Sequence, residues 1–394
     1  MAKRLAAWLI VMCFALSGVS VFAREAENTP EEVSESVEIT QEEPTEPTVL
    51  DLSLQDAIDM ALEENPQLLA NDAQIKSAEL NLEIAKEAKK KIDDIEKYVK
   101  IAVRVSEGLE TGYLKHGYYL DAARVGVDLA KMEKDKIIAT ISYNVTQKYY
   151  NVKLMENLVE IAKTGVGIAI ENRNVVKKNF DLGYVSQLEV TNVDNAVLKA
   201  EHSLENYERN LAIAVKDLKI ALGIEDNDCV LILTDDITIP ALCENVDELI
   251  ASAPGTRYDC TALKKSYDLA ARYFEITTYY VGDSTAMYHS AYSSYLSSKY
   301  TYENTTKLIG LGLESQYVSI IGAKDNIDVC KNDLEIKEIE YESAKIKYEI
   351  GLITNLELTG KMAELDSARV QLKNAEVTYL LAVKKFEYDT TIGL

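Results

Sequence analysis

Asp181-Leu182-Gly183-Tyr184-Val185-Ser186-Gln187-Leu188-Glu189 has a counterpart 168 positions further on, Glu349-Ile350-Gly351-Leu352-Ile353-Thr354-Asn355-Leu356-Glu357. Each phrase stands between two long, proline-free, apolar-periodic stretches. Glycine ends one helix at little cost because it tolerates the left-handed conformation, and Ser186 or Thr354 then caps the next. Each phrase reads as the tip of a long helical hairpin. Two tips predict two hairpins in an internally duplicated, all-α chain with little or no β structure.

Outward from the first tip, Val190, Val193, Val197, Ala200, Leu204, Tyr207, Leu211, Ala214, Leu218 and Ala221 recur in alternating steps of three and four. That is the a/d seam of a left-handed coiled coil. After the second tip, Leu358, Leu365, Ala368, Leu372, Ala375, Tyr379, Ala382 and Phe386 repeat it, with Lys361 and Asp389 as weak points. Before the first tip, Ile138, Ile141, Val145, Tyr149, Val152, Val159, Ala169 and Val176 form a similar stripe. A helix from Lys131 to Leu182 would be roughly 78 Å long, which suits a rod and not a compact globule.

The duplication continues beyond the tips. Ala214-Val215-Lys216 matches Ala382-Val383-Lys384 at the same offset of 168, whereas Ser77-Ala78-Glu79-Leu80 resembles Ser266-Tyr267-Asp268-Leu269 at 189. The second copy is thus about 21 residues shorter before its tip. No proline interrupts Pro66 to Pro240 or follows Pro254, as long helices require. The boundaries expected are a leader over 1–23, an acidic linker over 24–50, and helical repeats over 51–240 and 241–394. Ser53 with Asp56 approximates a capping box at the start of the first repeat.

Lys3 and Arg4, the apolar run from Leu5 to Leu16 and Val21-Phe22-Ala23 form a secretory leader. Arg24 to Leu50 carries nine glutamates, one arginine and three prolines, a composition that cannot bury enough surface to order itself. The formal charge is −23, and −25 once the two leader cations are removed. Nucleic-acid binding needs the opposite sign. Cys229, Cys243, Cys260 and Cys330 match no zinc spacing. The first three sit near one inter-repeat segment, where a disulfide is sterically open and unpaired buried thiols are the favoured reading. His116, His202 and His289 share no ligand spacing, and Gly310-Leu311-Gly312 lacks the context of a nucleotide site. No catalytic residue, cofactor or metal site is expected, and the chain reads as no enzyme.

Leu52 to Pro66, Ala73 to Leu80 and Thr146 to Val152, taken with the two glycine tips and the alanine-rich heptads, resemble the TolC family of outer-membrane efflux proteins. The resemblance covers Asp51 to Leu394, in order and in duplicate. It implies a homotrimer forming a hollow helical cylinder, the passive exit duct of a tripartite efflux or type I secretion system in the cell envelope. Its partners would be a periplasmic adaptor (membrane fusion) protein and an ABC or other inner-membrane pump. The family also inserts two membrane strands per repeat. In the corresponding windows, Val99 to Val105 alternates as a strand does, but no partner strand follows, and Tyr288, Tyr292, Tyr295 and Tyr302 fall at helical spacing. The barrel is therefore expected to be reduced or absent. A non-conducting coiled-coil scaffold or envelope stalk is the alternative.

The resemblance assigns adaptor docking to Gly183, Tyr184, Val185, Ser186, Gln187 and Leu188, and to Gly351, Leu352, Ile353, Thr354, Asn355 and Leu356, with backbone and small polar groups exposed. The competing reading is an ordinary interhelical turn. Glu357 falls where the family carries an acid at the pore constriction, and Glu189 is its repeat mate; three copies would make a carboxylate ring. The family's second acid falls on Gly360 and its basic gate position on Ile353, so any ring is thinner here. The tyrosines from Tyr279 to Tyr302 admit an interfacial belt, a conduit lining or, preferred, coiled-coil core.

Overall fold

A computed structural model of the chain describes residues 49–99, 108–224, 229–242 and 245–394. The leader, most of the acidic segment, the alternating stretch beyond Val99 and Cys243 lie outside these residues. In order, the elements are β1 (Val49–Leu52), α1 (Leu54–Leu62), α2 (Pro66–Val99), α3 (Leu109–Lys115), α4 (Tyr118–Asp181), α5 (Gln187–Leu222), β2 (Val230–Leu233), α6 (Val246–Thr256), α7 (Tyr258–Tyr280), α8 (Ala286–Glu349) and α9 (Asn355–Thr391). The all-α duplicated hairpin architecture is present. α4 and α8 are 64 residues each, or about 96 Å.

The shortfall of the second repeat has a visible source. α2 has 34 residues and its counterpart α7 has 23, and the first repeat alone carries α3. α1 and α6 correspond as the short helices that open each repeat. Ser53 and Asp56 complete a capping box at α1, the pairing their spacing suggests.

Contacts order the long helices into four columns. α2 and α5 share one column against α4; α4 packs on α7 and α9, which share the third; α8 packs on α7 and α9 as the fourth, and α5 also touches α9 across α4. α4 is thus an interior column and buries two faces. One carries Val145, Tyr149, Val152 and Val159, and the other Tyr150, Leu154 and Leu158. α8 is an edge column. Leu313, Ile320, Ile327 and Ala344 are buried, while Val318, Val329, Ile336, Ile339 and Ile346 form a second apolar stripe left uncovered. The α2–α5 edge likewise exposes Leu69, Leu80, Ile84, Leu198, Ile213 and Ile220.

β1 and β2 pair in parallel, Val49 with Val230 through Leu52 with Leu233. Composition groups Val49 and Leu50 with the acidic segment, yet they are strand. The fully buried Tyr149 locks the sheet to α4: its hydroxyl donates to the Leu52 carbonyl at 3.1 Å and accepts from the Asp235 amide at 2.9 Å.

Nine residues separate α2 from α3, and five separate α7 from α8. A pair of membrane strands needs about 18–22 residues, more than either interval contains; residues 100–107 of the first lie outside the described residues. In the second window α7 and α8 are helical throughout, as the tyrosine spacing predicts. Among the described residues no helix is long and apolar enough to cross a membrane.

Candidate functional site

The two tips are built alike. α4 ends at Asp181, Gly183 takes φ +79°, and its amide bonds the Phe180 carbonyl while the Tyr184 amide bonds that of Asn179. At the second tip Gly351 takes φ +76°, its amide bonds Tyr348, and the Leu352 amide bonds Lys347. Both are Schellman closures, in which a left-handed glycine lets the chain turn and satisfy the last carbonyls. Ser186 and Thr354 cap the following helices, each hydroxyl accepting from the amide three residues on.

The polar tip residues are spent on these caps. The Glu357 carboxylate accepts from the Thr354 amide at 2.8 Å and from its hydroxyl at 3.1 Å, completing a capping box. Asn355 is buried, and its amide exchanges hydrogen bonds with Asn172 on α4, at 2.7 and 3.2 Å. Val185 and Ile353 are half-buried, and Gln187 is exposed. Gly183, Ser186, Gly351 and Thr354 are exposed as well, and beside them stands a set of large apolar side chains. Leu182, Tyr184 and Leu188 on the first tip, and Ile350, Leu352 and Leu356 at the equivalent positions of the second, all face solvent. Tyr184 is 78 % exposed and Leu352 70 %. Sequence periodicity identifies the turn but does not show the large apolar side chains that accompany its small polar groups.

Both tips lie at one end of the layer. Tyr348 of the second hairpin packs into the Val176, Val190, Val193 and Val185 cluster of the first, beside the Asn172–Asn355 pair. Just behind, a cleft of about 600 Å³ opens between α5 and α9 across α4, lined by Gly165, Ala169, Ala196, Ala200, Ala363 and Asp366. The small residues let the columns approach: a Cβ on Gly165 would come within 2.9 Å of the Asp366 carboxylate. Burial raises the Asp366 pKa, and Arg369, 3.4 Å away, offsets this only in part. Lys337 and Lys361 bridge Glu340 and Glu364 between α8 and α9.

The opposite end carries the tyrosines. Tyr113 on α3 is buried, stacks on Tyr273 with centroids 4.9 Å apart, and shares a 2.9 Å hydrogen bond with Thr277. His116 contacts the Tyr280 hydroxyl at 3.2 Å, so this histidine has a structural partner. Tyr288, Tyr292, Tyr295 and Tyr302 meet Phe274 and Tyr267 along the α7–α8 seam, in the seam role preferred above. Cys229 and Cys260 are buried free thiols and Cys330 is a half-buried one. Among the described residues no group of three or more histidine, cysteine or acidic side chains could hold a metal ion.

No protein-family model matches the chain, and no curated protein does. Solved structures do. CusC, whose structures concern transmembrane channel formation, superposes with a TM-score of 0.70 over 95 % of this chain and 99 % of its own, at 12 % identity. The outer membrane protein VceC from Vibrio cholerae gives 0.65 over 84 % and 94 %, at 15 % identity. The Campylobacter jejuni outer membrane channel CmeC gives 0.60 over 91 % and 92 %, at 14 % identity. The likeness is one of fold: the chain has the helical protomer architecture of TolC-type outer-membrane channels.

Proposed function

We propose that the protein is the exit-duct component of a tripartite efflux or type I secretion assembly, exported to the cell envelope, and that three copies close into a tube. One observation carries the reading: a single layer of four helical columns has both edges open, and each edge bears an uncovered apolar stripe. A layer of that kind joined edge to edge makes a head-to-tail contact, which closes into a ring when the rotation permits. The twin apolar tips then gather at one mouth, as a surface for the hairpin of an adaptor protein, and the Asn172–Asn355 pair with Tyr348 holds them together until it engages. Glu357 and Glu189 become carboxylate rings near that mouth. The fold neighbours are themselves outer-membrane channels, which supports the same reading.

The test is the mass of the purified chain by light scattering, with electron microscopy of the particles. Three copies around an open lumen are expected; a monomer or a solid bundle defeats the proposal. The short α2–α3 and α7–α8 intervals favour a second reading, a non-conducting scaffold that kept the hairpins without a membrane barrel. A solid three-copy bundle with no lumen is its outcome.

A further inference from the structure

We propose that the groove between α4 and α8, floored by α9, binds an amphipathic organic cation, at a site within one copy that does not depend on the ring. The cavity is about 600 Å³, the size of a small-molecule pocket. Buried Leu358 and Leu365 of α9 form its floor, and Ile168 and Val175 of α4 belong to one wall. On the other wall, Tyr341 and Tyr348 of α8 are half-buried. An apolar body therefore gains by leaving water here, and a cation meets two aromatic rings in the same cavity.

Charge selects the occupant. Glu171 on α4 and Glu338, Glu342 and Glu349 on α8 line the same groove, and among the described residues none of the four has an ion-pair partner. Arg369 also reaches the groove but is drawn to Asp366, 3.4 Å away. Among the described residues of the lining, Lys345 is then the one uncommitted cation against four carboxylates. Their field acts inside the groove: burial pushes the Tyr341 hydroxyl pKa up, and the charges of Glu342, Asp366 and Glu171 push it further. The acids make no group that could hold a metal ion, so a compact ion finds no cage. A bulky cation, its charge spread over an apolar frame, suits both floor and walls. The walls come from both hairpins, and Asn172 beside Glu171 pairs with Asn355, so the occupant spans the joint just behind the tips.

Tetraphenylphosphonium tests this, titrated calorimetrically into the purified chain, with tetraphenylborate as an anion of the same shape. The phosphonium is expected to bind saturably and the borate not to bind. Glu171→Gln with Glu342→Gln should raise the dissociation constant about tenfold, and Tyr341→Leu roughly threefold. Glu201→Gln with Glu208→Gln, two exposed acids of α5 outside the groove, should leave it unchanged, which separates a site from the general pull of an acidic chain. Circular dichroism checks that the variants keep their helices. A second measurement needs no variant: the phosphonium should slow hydrogen exchange in the wild type over residues 168–175 and 338–349. Absence of saturable binding, equal binding of the borate, an α5 pair that weakens binding as much as the groove pair, or protection confined to other segments overturns the site. None of these readings turns on how many copies the particle holds, so the ring stands or falls separately.

Discussion

At Gly183 and Gly351 nothing lies within 4 Å of an added Cβ, while φ is +79° and +76°. Alanine there costs only the left-handed backbone, about 1 kcal/mol at each tip. Thermal unfolding of Gly183→Ala and Gly351→Ala is expected to show that small loss with unchanged helix content. A bulk effect far beyond it would mean the tips are packed, not open. Asp366 behaves differently, because its carboxyl titrates above its unfolded value, chiefly through burial. The ionised form is disfavoured in the fold. This penalty is absent below the unfolded pKa and complete above the folded one. Asp366→Asn should therefore raise the melting temperature at pH 7 and lose that advantage as the pH falls through the acid range. A gain that is constant with pH would place its cause outside the carboxylate.

Between elements, the Asn172–Asn355 exchange is the polar contact that joins the tip of the second hairpin to the first. Asn355→Ala leaves the half-buried Asn172 amide without its partner, at a cost of about 1 kcal/mol. Hydrogen exchange should quicken in the last turns of α4 and α8 and stay unchanged beside the sheet. Replacing both asparagines by leucine should recover part of the loss, which a general packing defect would not. Sequence periodicity reached this level unevenly. The seam of α5 was legible because one face of it packs, and Val190, Val193, Val197, Ala214 and Leu218 are indeed buried. On α4 the stripe found one face and missed Tyr150, Leu154 and Leu158, since an interior column has two seams and a single heptad register describes one. The uncovered stripe of α8 went unread for the same reason. β1 and β2, four residues each, are too short to show a period, although Val230-Leu231-Ile232-Leu233 is an apolar run closed off by Asp235 and Asp236. The tip turns were legible from Gly183, Ser186, Gly351 and Thr354, whereas the exposed apolar residues beside them, Tyr184 and Leu352 among them, follow no period.

For the whole molecule, charge and seam oppose each other. Each chain carries a formal −23, so three copies repel over the range at which ions leave charges unscreened, roughly 30 Å in 10 mM salt and 8 Å near 150 mM. The edges that meet are apolar, and their attraction does not fade with added salt. Assembly should therefore tighten as ionic strength rises, the reverse of a complex held by opposite charges. Light scattering across a dilution series from low to about 0.5 M sodium chloride reads this directly, with the dissociation constant falling most steeply where the screening length drops below the width of a helix. Ion pairs such as Lys177–Asp194 and Lys131–Glu79 lie within a copy, so their weakening in salt costs each hairpin little and leaves the trend between copies visible. Three copies that come apart as salt rises would mean the edges meet through charge, and the apolar stripes of α8 and α5 would then need another occupant.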